Sequence, residues 1–259
     1  MTMLNMRRTG QPSNCPLVLL HALPLDSSMW DTVRKLLEPI DVITVDAPGF
    51  GASPAGEELS DEPTTMAYVH ALKETLDHAG VDQIMLGGLS MGGAIAADFV
   101  ATYPQMIDGL ALIDTGIGSD NPQRQEFRAS MAELAEQGRA FEMLEAWKDT
   151  MTGLEVTPEV QESLVARFKA APGAGLAWIQ RALANRVDRS DVVELVDGPV
   201  FFIRGTDDPT ASLEYFMGLA LNAKQPRILE IEGAGHFTAD EKPEELALAL
   251  REFVERVTA

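Results

Sequence analysis

Six short apolar runs punctuate the chain: Pro16–Leu20 (PLVLL), Val42–Val45 (VITV), Ile84–Leu89 (IMLGGL), Leu110–Ile113 (LALI), Val200–Ile203 (VFFI) and Arg227–Ile231 (RILEI). They are continuous rather than alternating, the pattern of parallel strands covered on both faces. Amphipathic helical patterns lie between them. One starts at Thr64 or Thr65, aligns Val69, Leu72 and Leu76, and stops at Gly80; the last follows Pro243 and aligns Leu246, Leu250, Phe253 and Val257. Such alternation predicts an α/β fold, a mostly parallel central sheet flanked by helices.

From Thr115 to Pro199 the rhythm breaks, with no strand-like run. A crossover needs only about a dozen residues plus short loops, so most of this stretch reads as an insertion. It parses into four helices, marked by Phe127, Met131 and Leu134; by Phe141, Leu144, Trp147 and Met151; by Val160, Leu164 and Phe168 after Thr157-Pro158; and by Leu176, Ile179 and Leu183. Leaving the carboxyl end of the sheet, such an insertion would cover the crevice where open α/β folds bind ligands. The expected organisation is a core of residues 1–118 and 196–259 with a helical cap, or lid, over 119–195. Phe127, Met131, Phe141, Trp147, Met151, Phe168 and Trp178 are its candidates for an apolar pocket, although such stripes are usually packing faces.

A chain of 259 residues is long enough for one large core. Its net charge of −20 repels nucleic acid and anionic lipid. No apolar stretch is long enough to span a bilayer, and MTMLNMRRTGQ lacks the apolar segment of a secretory signal. The single cysteine, Cys15, excludes an intrachain disulfide. The expectation is a cytoplasmic protein, monomer or homodimer, whose partner is a small molecule.

Within this frame stands Gly87-Gly88-Leu89-Ser90-Met91-Gly92-Gly93. A phosphate-binding loop would need Lys-Ser or Lys-Thr where Gly93-Ala94 stands, and neither this stretch nor Gly49-Phe50-Gly51 completes a dinucleotide-binding Gly-x-Gly-x-x-Gly. What fits is Gly88-Leu89-Ser90-Met91-Gly92, a Gly-x-Ser-x-Gly between a buried strand and a helix. There the flanking small residues let the chain turn sharply and lift the serine Oγ above the sheet. A serine hydroxyl needs a base, and the base a carboxylate to orient it. Of four histidines, His70 and His78 share one helix and His21 ends a strand; His236 stands in the tight loop Gly233-Ala234-Gly235-His236-Phe237 after the last strand. The carboxylate is expected after the preceding strand, in Arg204-Gly205-Thr206-Asp207-Asp208-Pro209, which offers Asp207 and Asp208.

Through LLHALPLDSSMW (Leu19–Trp30), VDAPGFGAS (Val45–Ser53), GLSMG, RGTDD and GAGHF, the chain from about Pro16 onward resembles the α/β-hydrolase fold superfamily, lid-bearing serine esterase or lactonase type. The resemblance implies a helical cap inserted after the family's sixth strand. Its Gly-x-x-Asp spacing puts the acid on Asp208, with Asp207 the rival; Asp114, where some relatives carry the acid, reads as a local turn former. The implied oxyanion hole comprises the backbone amides of Met91 and Leu23. Where many relatives have His-Gly-x-Pro, this chain has His21-Ala22-Leu23-Pro24, and Ala22 would be strained if that site needs a positive φ. His21 is read as structural. The implied chemistry is acyl transfer to Ser90 with no metal or cofactor, on a small or medium carboxylic ester or lactone. Hydrolysis of a C–C bond in a diketone, cofactor-free perhydrolase or haloperoxidase chemistry, and a non-catalytic small-molecule receptor remain as alternatives.

Overall fold

Runs of β-branched and aliphatic residues pair wherever both faces can be covered, and seven strands result. The structure, a computed structural model, describes residues 2–259. Its strands are β1 (Met6–Thr9), β2 (Leu17–Leu20), β3 (Val42–Val45), β4 (Ile84–Leu89), β5 (Ile107–Ile113), β6 (Pro199–Gly205) and β7 (Gln225–Ile231), in the spatial order β1-β3-β2-β4-β5-β6-β7. Every pair is parallel except β1 on β3. Each residue of β2, β3, β4 and β6 is buried, as continuous apolar runs require. β7 departs from that pattern: it is an edge strand, and only Ile231 is fully buried.

The helices are α1 (Asp31–Leu37), α2 (Thr65–His78), α3 (Met91–Thr102), α4 (Pro122–Glu136), α5 (Phe141–Leu144), α6 (Trp147–Thr150), α7 (Pro158–Lys169), α8 (Gly173–Ala184), α9 (Leu213–Ala220), α10 (Thr238–Glu241) and α11 (Pro243–Thr258). α1 packs on α11 and α2 on α3, so helices lie on both faces of the sheet. The helix read from Thr64 is capped by that residue, whose Oγ1 accepts the Ala67 amide at 3.1 Å; Gly80, just past its end, has φ 69°. Phe253 of α11 tilts against Phe201 of β6 with ring centroids 5.2 Å apart, fixing the last helix to the sheet. Among the described residues no helix is long and apolar enough to cross a membrane.

Two connections position the site. The chain steps from β2 outward to β3, then returns to lay β4 on the other side of β2, and this reversal opens a crevice at the carboxyl ends of β2 and β4. The helices α4 to α8 leave after β5, the sixth strand in the family's count, and rejoin the sheet at β6. α4 packs along α8, and Gln125 Nε2 donates to the Ala184 carbonyl at 3.1 Å.

Candidate active site

At the end of β4 the glycines are demanded by close backbone approach. A Cβ on Gly88 would collide with the backbone of Gly92, one on Gly92 with the Leu20 carbonyl of β2, and one on Gly93 with the Thr115 side chain. Only bare backbone lets α3 start this close to β2 and β4. Ser90, at the apex, adopts φ 56° and ψ −112°. For a residue with a Cβ, that backbone costs on the order of 1–3 kcal/mol and must be held by its surroundings. Here the Ser90 amide donates to the Ile113 carbonyl at 2.9 Å, and Thr115 Oγ1 donates to the Ser90 carbonyl at 2.7 Å.

His236 arrives from the loop after β7. The His236 amide donates to the Met151 carbonyl at 2.7 Å, and Glu241 collects the amides of Gly235 at 3.0 Å, Phe237 at 3.0 Å and Gly153 at 2.7 Å. One carboxylate thus ties the histidine loop to the loop after α6. Asp208 lies beyond β6, and its buried Oδ1 is 3.1 Å from His236 Nδ1. An ionised carboxylate only accepts, so Nδ1 carries the proton and leaves Nε2 free to accept from Ser90 Oγ at 2.8 Å. Burial pushes the Asp208 carboxyl up, but the charge and hydrogen bond of His236 and the donors of Thr210 outweigh it, holding Asp208 below the ordinary carboxylate range.

The structure brings together Ser90, His236 and Asp208, three side chains far apart in the chain. Asp207 is not part of that group. Its Oδ2 instead accepts the Leu154 amide at 3.0 Å, across to the helical segment. Asp114 (φ 44°) accepts the Gly205 amide and Thr238 Oγ1, each at 2.7 Å. Burial, together with the negative charge of neighbouring Asp208, pushes its carboxyl well above the ordinary range. Buried His21 links two backbones: Nδ1–H donates to the Ala22 carbonyl at 3.0 Å, and Nε2 accepts the Ala47 amide at 2.8 Å. The strain anticipated at Ala22 is absent, because only Ser90 and Asp114 among the described non-glycine residues have positive φ.

Thr210 is a member the sequence reading missed. Its amide donates to Asp208 Oδ1 at 2.9 Å, and its hydroxyl lies 2.9 and 3.0 Å from the two Asp208 oxygens and 3.0 Å from His236 Nδ1. Asp208-Pro209-Thr210 is an Asx turn, a local signal legible in the text.

A cavity of about 290 Å³ opens over Ser90. Its walls combine Leu23, Met91, Thr210 and His236 from the sheet side with Phe127, Trp147, Met151 and Leu183 from the inserted helices. Of the apolar residues named as pocket candidates, Phe127, Trp147 and Met151 face it. Met131, Phe168 and Trp178 are buried in packing, Trp178 against Gly56 and Phe168 against Phe237, while Phe141 packs under Lys169. The amides of Leu23 and Met91 serve no backbone acceptor among the described residues, and both residues line the cavity with Ser90.

Comparison with known proteins agrees with this architecture. The model of the alpha/beta hydrolase family matches residues 17–250. The esterase YbfF of Escherichia coli is 27% identical over 252 residues, 95% of each chain. The (E)-2-((N-methylformamido)methylene)succinate hydrolase of Acinetobacter baylyi is 24% identical over 93% of this chain and 90% of its own. Among solved structures, a thermophilic esterase from Thermogutta terrifontis, with malate bound, superposes with a TM-score of 0.91 at 30% identity, covering 99% of this chain and 94% of that one. An enol-lactonase from Burkholderia xenovorans superposes at 0.84 with 23% identity, over 97% and 96%.

Proposed function

This chain belongs to the alpha/beta hydrolase family, and on that premise we propose that it hydrolyses a small or medium carboxylic ester or lactone through an acyl-enzyme on Ser90. The reading rests on one observation above all: His236 Nε2 stands 2.8 Å from Ser90 Oγ, with the opposite nitrogen on Asp208. In the acylation step Ser90 Oγ attacks the ester carbonyl while Nε2 takes its proton. Asp208 holds the ring in the required tautomer and stabilises the imidazolium that forms. The carbonyl oxygen, now an oxyanion, receives the amides of Leu23 and Met91, a contribution of about 3 kcal/mol per donor. His236 then protonates the departing alcohol oxygen as the C–O bond breaks. A water, deprotonated by the same Nε2, attacks the acyl carbonyl and releases the acid and free Ser90.

The esterase and enol-lactonase among its relatives are consistent with this chemistry. Residues 119–195 act in this reading as the cap, with Phe127, Trp147 and Met151 supplying the apolar wall for the substrate. The test is a panel of p-nitrophenyl esters of increasing acyl length, with Ser90→Ala as control. Turnover of the shorter esters that falls by about 10³-fold or more in Ser90→Ala is the expected result. Poor ester turnover alongside rapid cleavage of a vinylogous diketone would replace it with C–C bond hydrolysis. Ester turnover that survives Ser90→Ala would remove the nucleophile assignment.

A further inference from the structure

The cavity over Ser90 has a wall that ester hydrolysis leaves unexplained: Arg124 and Arg128 of α4, Arg186 just after α8, and Gln180 of α8. A single carboxylate serves all three arginines. Asp120 Oδ1 is 2.9 Å from Arg186 Nη2 and 3.6 Å from Arg124 Nε, and its Oδ2 pairs with Arg128 Nε. Gln180 is neutral, its Oε1 accepting from Arg128 Nη1 at 2.8 Å. Three guanidiniums against the one carboxylate that pairs with them leave this wall net positive; Asp188, whose charge also reaches Arg186, is held by the Ser190 amide at 2.8 Å. Asp114, which also lines the cavity, is pushed toward its neutral form by burial and by Asp208. Asp98, which attracts Arg186, is already held by Arg189 Nε at 2.6 Å.

Solvent reaches Arg124, whose side chain is half exposed, but not the other two arginines. The Arg128 and Arg186 side chains are only 8% and 10% exposed, and Arg186 Nε is buried with no hydrogen-bond partner. Burial lowers the Arg128 pKa to about 10; Asp120 opposes the fall, and the charges of Arg186 and Arg124 add to it. Packing alone would be satisfied by one arginine per carboxylate, since each additional desolvated charge is costly. The chain as a whole carries −20, so a cationic wall inside its cavity does not follow from composition.

The geometry points to a recognition site for a carboxylate on the substrate, formed by Arg124, Arg128 and Arg186. The ester or lactone cleaved at Ser90 is then one with a free acid group, a half-ester of a dicarboxylic acid or an acyl ester of a hydroxy acid. This rests on the reading of Ser90 as nucleophile and narrows its substrate class. A planar guanidinium presents paired donors that match the two oxygens of a carboxylate.

The test compares kcat/KM for two pairs of esters of matched length. Monoethyl glutarate against ethyl hexanoate places the acid on the acyl side; 4-acetoxybutanoate against pentyl acetate places it on the alcohol side. The expected result is a preference of at least tenfold for the acidic member of one pair. That preference falls at least tenfold in Arg186→Gln and in Arg124→Gln, with the change in KM. Arg124 is 52% exposed, so its variant keeps the test sound if Arg186→Gln folds poorly. A neutral member preferred in both pairs, or variants that slow acidic and neutral esters alike, would overturn the proposal. Calorimetry of the two acidic esters on Ser90→Ala separates this inference from the esterase reading. Binding that Arg124→Gln weakens tenfold, without turnover by the wild type, upholds the carboxylate site and sinks the esterase reading. Absence of binding by either acidic ester, with neutral esters hydrolysed, does the reverse.

Discussion

Thr210→Val removes one hydroxyl and nearly nothing else, so it isolates what holds Asp208 in its charged form. In the wild type the Thr210 hydroxyl lies 2.9 Å from Oδ1 and 3.0 Å from Oδ2, while the Thr210 amide and His236 Nδ1 both serve Oδ1. The valine variant therefore strips Oδ2 of its donor, and the Asp208 side chain is wholly buried, so water cannot substitute. A hydrogen bond to a charged group contributes about 1.5–3 kcal/mol, which sets the expected loss of stability at pH 7 at about 2 kcal/mol. The sign with pH follows from linkage. Asp208 is held below its ordinary value of 3.8 in the folded state, so its contribution is fully present above that pH. It disappears as pH falls through the lower folded-state value, where both states become protonated. Urea unfolding of wild type and variant at pH 7 and at a series of values well below pH 3.8 should show the difference shrinking toward the acid end. Turnover at pH 7 should fall about tenfold, and Thr210→Ser should recover most of both losses. A stability difference that stays equally large well below pH 3.8, or a serine variant as impaired as valine, would refute the reasoning.

Asp208→Asn should lower kcat by about 10⁴-fold by forcing the wrong tautomer on His236, whereas Asp207→Asn, which touches only the contacts to Leu154 and Thr206, should cost less than about threefold; a larger loss at position 207 would exchange their roles. Glu241→Ala orphans the amides of Gly153, Gly235 and Phe237 and should cost about 3 kcal/mol of unfolding free energy together with a loss of kcat, read by denaturation and steady-state assay. Cys15 should resist thiol reagents in the native protein and react promptly in urea, because burial and neighbouring Asp108 push its pKa up to about 12.

How far the text carries depends on which physics is local. Buried strands announce themselves through composition, so β3 and β4 coincide with their apolar runs, and the capping threonines at 64 and 157 place α2 and α7. β1 escaped because an antiparallel edge strand needs only one covered face. Its Met-Arg-Arg-Thr is held partly by Arg8, whose Nε donates to Asp41 at 2.9 Å, and no apolar run marks it. The helix read across Phe141 to Met151 divides into α5 and α6 around a turn at 145–146, where Lys148 bonds back three residues to Glu145; an apolar stripe is blind to that shift. At the site, the elbow around Ser90 and the loop of His236 are spelled by glycines with a steric reason. In the text the choice of Asp208 over Asp207 rests only on the Gly-x-x-Asp spacing that the resemblance implies, because in the residues alone adjacent carboxylates differ only in which neighbour the fold presents to each. The arginine wall was hidden for a similar reason. It joins positions 124, 128 and 186 through Asp120, and only the packing of α4 on α8 brings them together.

Treating the native protein with a fluorophosphonate and mapping the adduct by peptide mass spectrometry interrogates the junction of hydroxyl and imidazole directly. One adduct, on the peptide carrying Ser90, with labelling slowed at least a hundredfold in His236→Ala, is what the geometry predicts. An unlabelled Ser90, or one labelled as fast without the histidine, would contradict it.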